Sequence, residues 1–334
     1  MMVRALPDTT LRPLAGWLGI VVLAELVLLR SGTRTLIHIP GLGDFETTIG
    51  LVSEVGRFAY YLSVVLVIVV LGYIVHAGWS ARTRTGSVVG GLVAMFLLAA
   101  FLGRVGVIPV SAVGWVSLAV IFGLLLATGA GARSVPVALF VAAWAFASWS
   151  VLGQELGGGI SGRAVDVATV AAEGLLLVAL ASTPLLASGR IPRAAIVAGS
   201  AVFVLVTAGF QAGGATLSIL TLWNLGVPGW FPPVTYGLAF GGLTVALWSS
   251  LAARNSVTAC GLVLMVGSGV GPISTYQTSL AVVAVVFLGV EIAVSNGKRF
   301  RQPNHDQREQ PPTNRSPEPV QPGALGSAHV LDRP

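Results

Sequence analysis

Apolar, nearly uncharged runs of about 20 residues recur along this chain, and nothing else in it constrains the fold as strongly. They fall at residues 14–30, 57–78, 86–103, 108–129, 134–152, 165–188, 194–214, 233–252, 256–271 and 278–296. A helix needs about 20 apolar residues to cross the hydrocarbon core of a bilayer. Inside lipid its amides must be bonded within the segment, which a helix does. The composition agrees: 54% of residues are hydrophobic and only 10% charged, whereas a soluble domain carries roughly 25% charged residues. The expected fold is an all-α, polytopic transmembrane helical bundle of about ten spans over residues 1–296. The run 256–271 is the shortest and holds Gly267, Gly269 and Gly271, so nine spans is the alternative. Arg4 and Arg12 precede the first run, yet no small-x-small cleavage site follows before Arg30. It reads as an uncleaved first helix.

Charge placement gives the orientation. With ten spans, and counting the short loops and the roots of the termini, 11 Lys and Arg residues fall on one side (Arg4, Arg12, Arg82, Arg84, Arg133, Arg190, Arg193, Arg254, Lys298, Arg299, Arg301). The other side receives 5, namely Arg30, Arg34, Arg57, Arg104 and Arg163. Positive residues accumulate on the cytoplasmic face, so both termini are expected in the cytoplasm of a plasma-membrane protein. The basic residues stand singly or in pairs between apolar runs, which excludes nucleic acid as a partner despite the formal charge of +6. The expected partners are the lipid bilayer itself and a partner membrane protein or a second copy of the chain. From residue 297 the composition turns polar and proline-rich, starting at Lys298-Arg299-Phe300-Arg301. Such a stretch cannot bury enough apolar surface to order itself, and residues 297–334 are expected to form a disordered cytoplasmic tail.

Two longer outer segments stand out. Residues 31–56 carry Arg34, His38, Asp44, Glu46 and Glu54. Residues 215–232 hold Trp223, Trp230 and Phe231, which suit an interfacial aromatic belt. His38 with Asp44 and Glu46 has the donor types for a weak divalent-cation site; an exposed polar loop is the simpler reading.

Ionisable groups inside a bilayer are costly, so each is a candidate for function. Glu173 is the deepest, in the middle of the sixth run. It is a candidate proton-coupling carboxylate or cation ligand; the plainer account is a protonated side chain bonded to a neighbouring helix. Glu25, near the outer end of the first run, is the second candidate, against a pair with Arg30 or a side chain snorkelling to the interface. Gln211, in the seventh run, is a third. His76 closes the second run and is a metal or proton-relay candidate, against an interfacial hydrogen-bonding role. Glu54 and Arg57 read as a local ion pair, and Glu291 as an interfacial carboxylate. Close helix packing is sufficient reason for the Gly-x-x-x-Gly spacings Gly86/Gly90, Gly209/Gly213, Gly237/Gly241 and Gly267/Gly271. Cys260, the one cysteine, lies in an apolar run and reads as an inert buried thiol.

No His-Glu-x-x-His, Gly-x-Ser-x-Gly, paired-aspartate or Cys/His motif occurs, and Gly157-Gly158-Gly159 lacks the ending of a phosphate loop. The chain is therefore read as no enzyme, with no cofactor. Residues 41–73 resemble the opening of actinobacterial copper-resistance D-type (CopD) membrane proteins. The shared features are Gly41-Leu42, Asp44, Thr47, Gly50-Leu51 and an Arg57 leading into an aliphatic span. That resemblance implies copper as cargo. Cu(I) prefers soft ligands, and the spans offer Met95, Met265, Cys260 and His76. The expected function is that of a permease for a small solute or ion, the alternative a non-transporting membrane subunit or scaffold.

Overall fold

In a computed structural model, the residues described are 8–32, 46–81, 83–128, 131–155, 162–187, 190–213, 229–269 and 274–299. Every regular element among them is helical, and none is a strand. In chain order the α-helices are α1 (Asp8–Glu25), α2 (Glu46–Ser80), α3 (Arg84–Arg104), α4 (Val110–Thr128) and α5 (Val135–Glu155). They continue as α6 (Gly162–Ser182), α7 (Arg193–Gly213), α8 (Phe231–Ala252), α9 (Ser256–Gly269) and α10 (Thr275–Arg299). Eight of them are long and apolar enough to cross a membrane, the architecture of a multi-pass membrane protein. The exceptions are α7, whose apolar part is Arg193–Gly209, and α9. At 14 residues, α9 is about 21 Å long at 1.5 Å per residue, shorter than the ~30 Å hydrocarbon core.

Packing between helices closes a ring. Each of α1 to α5 packs on the next; α6 then packs directly on α8, α8 on α9, and α9 back on α1. α7 lies outside this ring, against α8. The centre is filled by α10, of whose spanning window 83% is buried against 22–44% for the seven other long spans. From Leu280 to Leu288 no residue is more than 4% exposed. A helix that is apolar on every side belongs in an interior, and here the Val, Ala and Leu side chains of α10 face the encircling helices. Phe287 and Leu288 lie against Gly261 of α9. Val285, Val286 and Val290 border a small gap shared with Val89 of α3 and Leu124 of α4.

Two glycine contacts fix the closest approaches. A Cβ at Gly78 of α2 would stand 2.6 Å from the Gly86 carbonyl oxygen of α3, so those backbones touch. A Cβ at Gly199 of α7 would stand 2.8 Å from the Gly241 carbonyl oxygen of α8. Where lipid is as apolar as the protein, close backbone contact replaces a hydrophobic drive for association. The spacings Gly86/Gly90 and Gly237/Gly241 thus serve packing.

Helix boundaries depart from the sequence reading in two places. α2 starts at Glu46, so residues 46–56 of the segment read as an outer loop are helical. With 35 residues it is about 52 Å long, several turns more than a bilayer core requires. α1 starts at Asp8, ahead of Pro13, and at Leu26 gives way to a π-helix running to Gly32. The proline-rich tail from residue 300 and the outer segment 214–228 lie outside the described residues.

Candidate functional site

Three helices bring polar side chains together at the end of α1. Glu25 is the last residue of its α-helical part and is only 1% exposed. The snorkelling reading is therefore wrong, because the carboxylate is held inside the bundle; the side chain of Arg30 lies outside the described residues. Ser63 comes from the middle of α2 and is fully buried. Tyr276 comes from the first turn of α10, started by Ser274, whose carbonyl accepts from the Thr278 hydroxyl at 2.9 Å. Its ring meets that of Tyr60 edge to face, with centroids 5.1 Å apart, an arrangement aromatic quadrupoles favour. Tyr60 lies one turn before Ser63, so both contacts fall on the same face of α2.

Glu25 Oε2 accepts from the Ser63 hydroxyl at 3.2 Å and from the Tyr276 hydroxyl. The two hydroxyls are 2.6 Å apart, and Ser63 also reaches the Tyr60 carbonyl oxygen at 2.7 Å. Each hydroxyl has one hydrogen to give and lone pairs to receive. Buried polar networks hold only when their members are bonded, and here each of the three side chains is bonded to the other two.

The turn after Glu25 is unusual in a second respect. π-helical geometry is rare and tends to appear at functional positions, and here it follows the buried carboxylate directly. It packs tightly on α2: a Cβ at Gly56 would stand 2.9 Å from the Leu29 backbone nitrogen.

Glu173 occupies a different setting. It sits midway along α6, 6% exposed, and accepts a hydrogen bond from the Tyr236 hydroxyl of α8 at 2.7 Å. Tyr236 is itself 3% exposed. The expectation of a bond to a neighbouring helix is met, and the partner is a helix two places on in sequence because α7 is displaced from the ring. Glu291, on α10, accepts from the Asn255 amide at 2.8 Å, while Asn255 Oδ1 accepts from the backbone N–H of Thr258 at the start of α9. Its role is therefore more than interfacial: it ties the central helix to the α8–α9 turn. The expected Glu54–Arg57 ion pair is present at 2.9 Å on the exposed start of α2.

The remaining candidates are not drawn into these clusters. His76 lies on an exposed face of α2. Gln211 falls in the last turns of α7, at a position whose side chain is outside the described residues, as are His38 and Asp44. Among the described residues no group of three or more His, Cys, Asp or Glu side chains is placed to hold a metal ion. Of the soft side chains, Cys260 and Met265 are buried on α9, whereas Met95 on α3 is 42% exposed. Ser63, Tyr276, Tyr236 and Asn255 were not singled out in the sequence. Their one signal is a hydroxyl or amide within or beside an otherwise apolar run.

No model of a known family matches this chain, and neither the curated proteins nor the solved structures compared with it include a similar one.

Proposed function

We propose that this chain is a plasma-membrane permease for a small solute or ion, with ten spans and cytoplasmic termini, whose cycle is coupled to protonation of Glu25. The observation that carries the reading is the Glu25–Ser63–Tyr276 network. A carboxylate placed inside a membrane protein is costly and is retained where it works. Its partners are hydroxyls, a group type able to donate to a carboxylate or accept from a carboxylic acid, and one of them stands on the central helix. A proton arriving at Glu25 therefore alters what α1, α2 and α10 share. That is the requirement for linking an ion gradient to a helix movement, because a ligand shifts an equilibrium only through differential interaction with two states.

One observation favours the second reading, a non-transporting subunit or scaffold. The centre of the ring is filled by the apolar stretch Leu280–Leu288, so a solute path has to run between helices or open by displacement of α10. Reconstituted vesicles distinguish the two. Under an imposed proton gradient, the wild-type chain is expected to move protons together with a solute, and Glu25→Gln to lose that flux while keeping its thermal stability. Copper, the cargo implied by the resemblance of residues 41–73 to CopD proteins, is one solute to include. Absence of flux for every solute offered, with the purified protein folded, supports the scaffold and removes the permease.

A further inference from the structure

At the opposite end of α10 from Tyr276 lies a cavity of about 260 Å³ between the α6–α7 connection, the α8–α9 turn and α10. Its walls include Arg190, Ser249, Ser250, Asn255, Thr258 and Glu291. Two features set it apart from a packing defect. First, Thr258 is 3% exposed, and among the described residues neither its hydroxyl nor the buried hydroxyl of the half-buried Ser249 has a hydrogen-bond partner. A buried polar group left unbonded costs about 1–3 kcal/mol, so such groups in a native interior call for an occupant or an explanation. By contrast, Ser250 is satisfied by the Ala246 carbonyl at 2.8 Å, so the unpartnered groups are particular ones. Secondly, the walls carry opposite charges that are not spent on each other. No ion pair joins Arg190 to Glu291 among the described residues, where the Glu54–Arg57 pair is found. Glu291 Oε2 accepts from the Asn255 amide, and a carboxylate has a second oxygen able to accept.

The volume is far above what a single water needs. A guanidinium recognises carboxylate and phosphate, a carboxylate recognises an ammonium, and a hydroxyl serves either. We infer that this cavity is a binding site for a zwitterion that joins an ammonium to a carboxylate or phosphate. The anionic group sits against Arg190, the ammonium against Glu291, and the hydroxyls of Ser249 and Thr258 complete the shell. A free amino acid and a phosphatidylethanolamine headgroup share this chemistry. The α8–α9 turn that forms one wall passes through Arg254, in a left-handed backbone conformation at φ 54°, and through Asn255, which caps α9.

The inference concerns equilibrium binding and does not depend on the permease reading, since a scaffold can hold the same ligand. The full chain, purified in detergent, is titrated with phosphoethanolamine, with L-serine and, in mixed micelles, with phosphatidylethanolamine, phosphatidylglycerol serving as the control. Saturable binding is expected, with a rise in Tm that grows with ligand concentration because the ligand binds the folded state. Arg190→Gln and Glu291→Gln are each expected to weaken it about tenfold or more, as for lost charge-assisted bonds. The isosteric Thr258→Val is expected to weaken it about fivefold. Gln at 291 keeps an acceptor for Asn255, so the fold survives that change. Binding of the soluble probes identifies a free solute; binding of phosphatidylethanolamine alone identifies a lipid headgroup. Absence of saturable binding by all three, or binding that is equal in wild type, Arg190→Gln and Glu291→Gln, overturns the assignment.

Discussion

Glu25 and Glu173 are both carboxylates buried in an apolar bundle, yet the structure treats them differently. Glu173 lies within an uninterrupted helix and bonds to Tyr236 on a neighbouring member of the ring. Glu25 lies where α1 changes from α to π geometry, and its hydroxyl partners come from α2 and from the central helix. A bond between two ring helices clamps them. A shared network that includes the central helix links the ring to its core. Burial alone therefore does not distinguish the two settings; the identity of the partner helices does.

The largest effect that sharpens this contrast is expected from Glu25→Ala. It removes two buried side-chain bonds at once, those from Ser63 and Tyr276, each contributing about 0.5–1.5 kcal/mol, so a drop in Tm larger than that of Glu173→Ala is expected in detergent. An equal or smaller drop would break the distinction between the two sites. Next comes Gly78→Val, which drives a side chain into the α3 backbone 2.6 Å away. Overpacking of this kind costs about 1–3 kcal/mol, and it is expected to loosen α2 from α3 and to raise hydrogen exchange there.

Hydroxyl deletions then separate the sites more finely. Tyr236→Phe removes the described bond to Glu173 and should cost about 1 kcal/mol. Ser63→Ala and Tyr276→Phe share one acceptor, so their effects are expected to be non-additive, with a coupling of about 0.5–3 kcal/mol in a double-mutant cycle. Additive losses would show that the three groups do not act as a network. The smallest effect is expected from Arg57→Ala. Its ion pair with Glu54 has both side chains more than half exposed, and such pairs contribute about 0–1 kcal/mol. A Tm shift approaching that of Tyr236→Phe would mean that Arg57 supports the start of α2 in some other way.

Much of the helix inventory was legible beforehand. Each of the ten apolar runs overlaps one α-helix, because a long apolar segment in lipid has to bond its own amides. The deep position of Glu173 and its bond to another helix were also readable, since a buried carboxylate needs a donor. The extension of α2 back to Glu46 was not, because Glu46, Glu54 and Arg57 look like a solvated loop when only hydropathy is considered. Nor was the burial of Glu25. A glutamate a few residues from a basic group at a helix end has the same sequence pattern whether it faces lipid headgroups or two hydroxyls on other helices.

By itself, the order of residues determined that this chain forms apolar helices for a membrane, and which few ionisable groups those helices carry. That much follows from local properties: the transfer energy of each segment and the bonding of its own backbone. Only the tertiary structure decided that eight helices form a ring, that α7 stands outside it, and that α10 fills the centre. Hydropathy marks interior residues in water, but it cannot tell a lipid-facing valine from a buried one when the solvent is as apolar as the core. The bonding of Glu25 to Ser63 and Tyr276, and the placing of Arg190 and Glu291 on one cavity, likewise depend on how helices distant in sequence are set against each other by close glycine contacts and a few polar bonds.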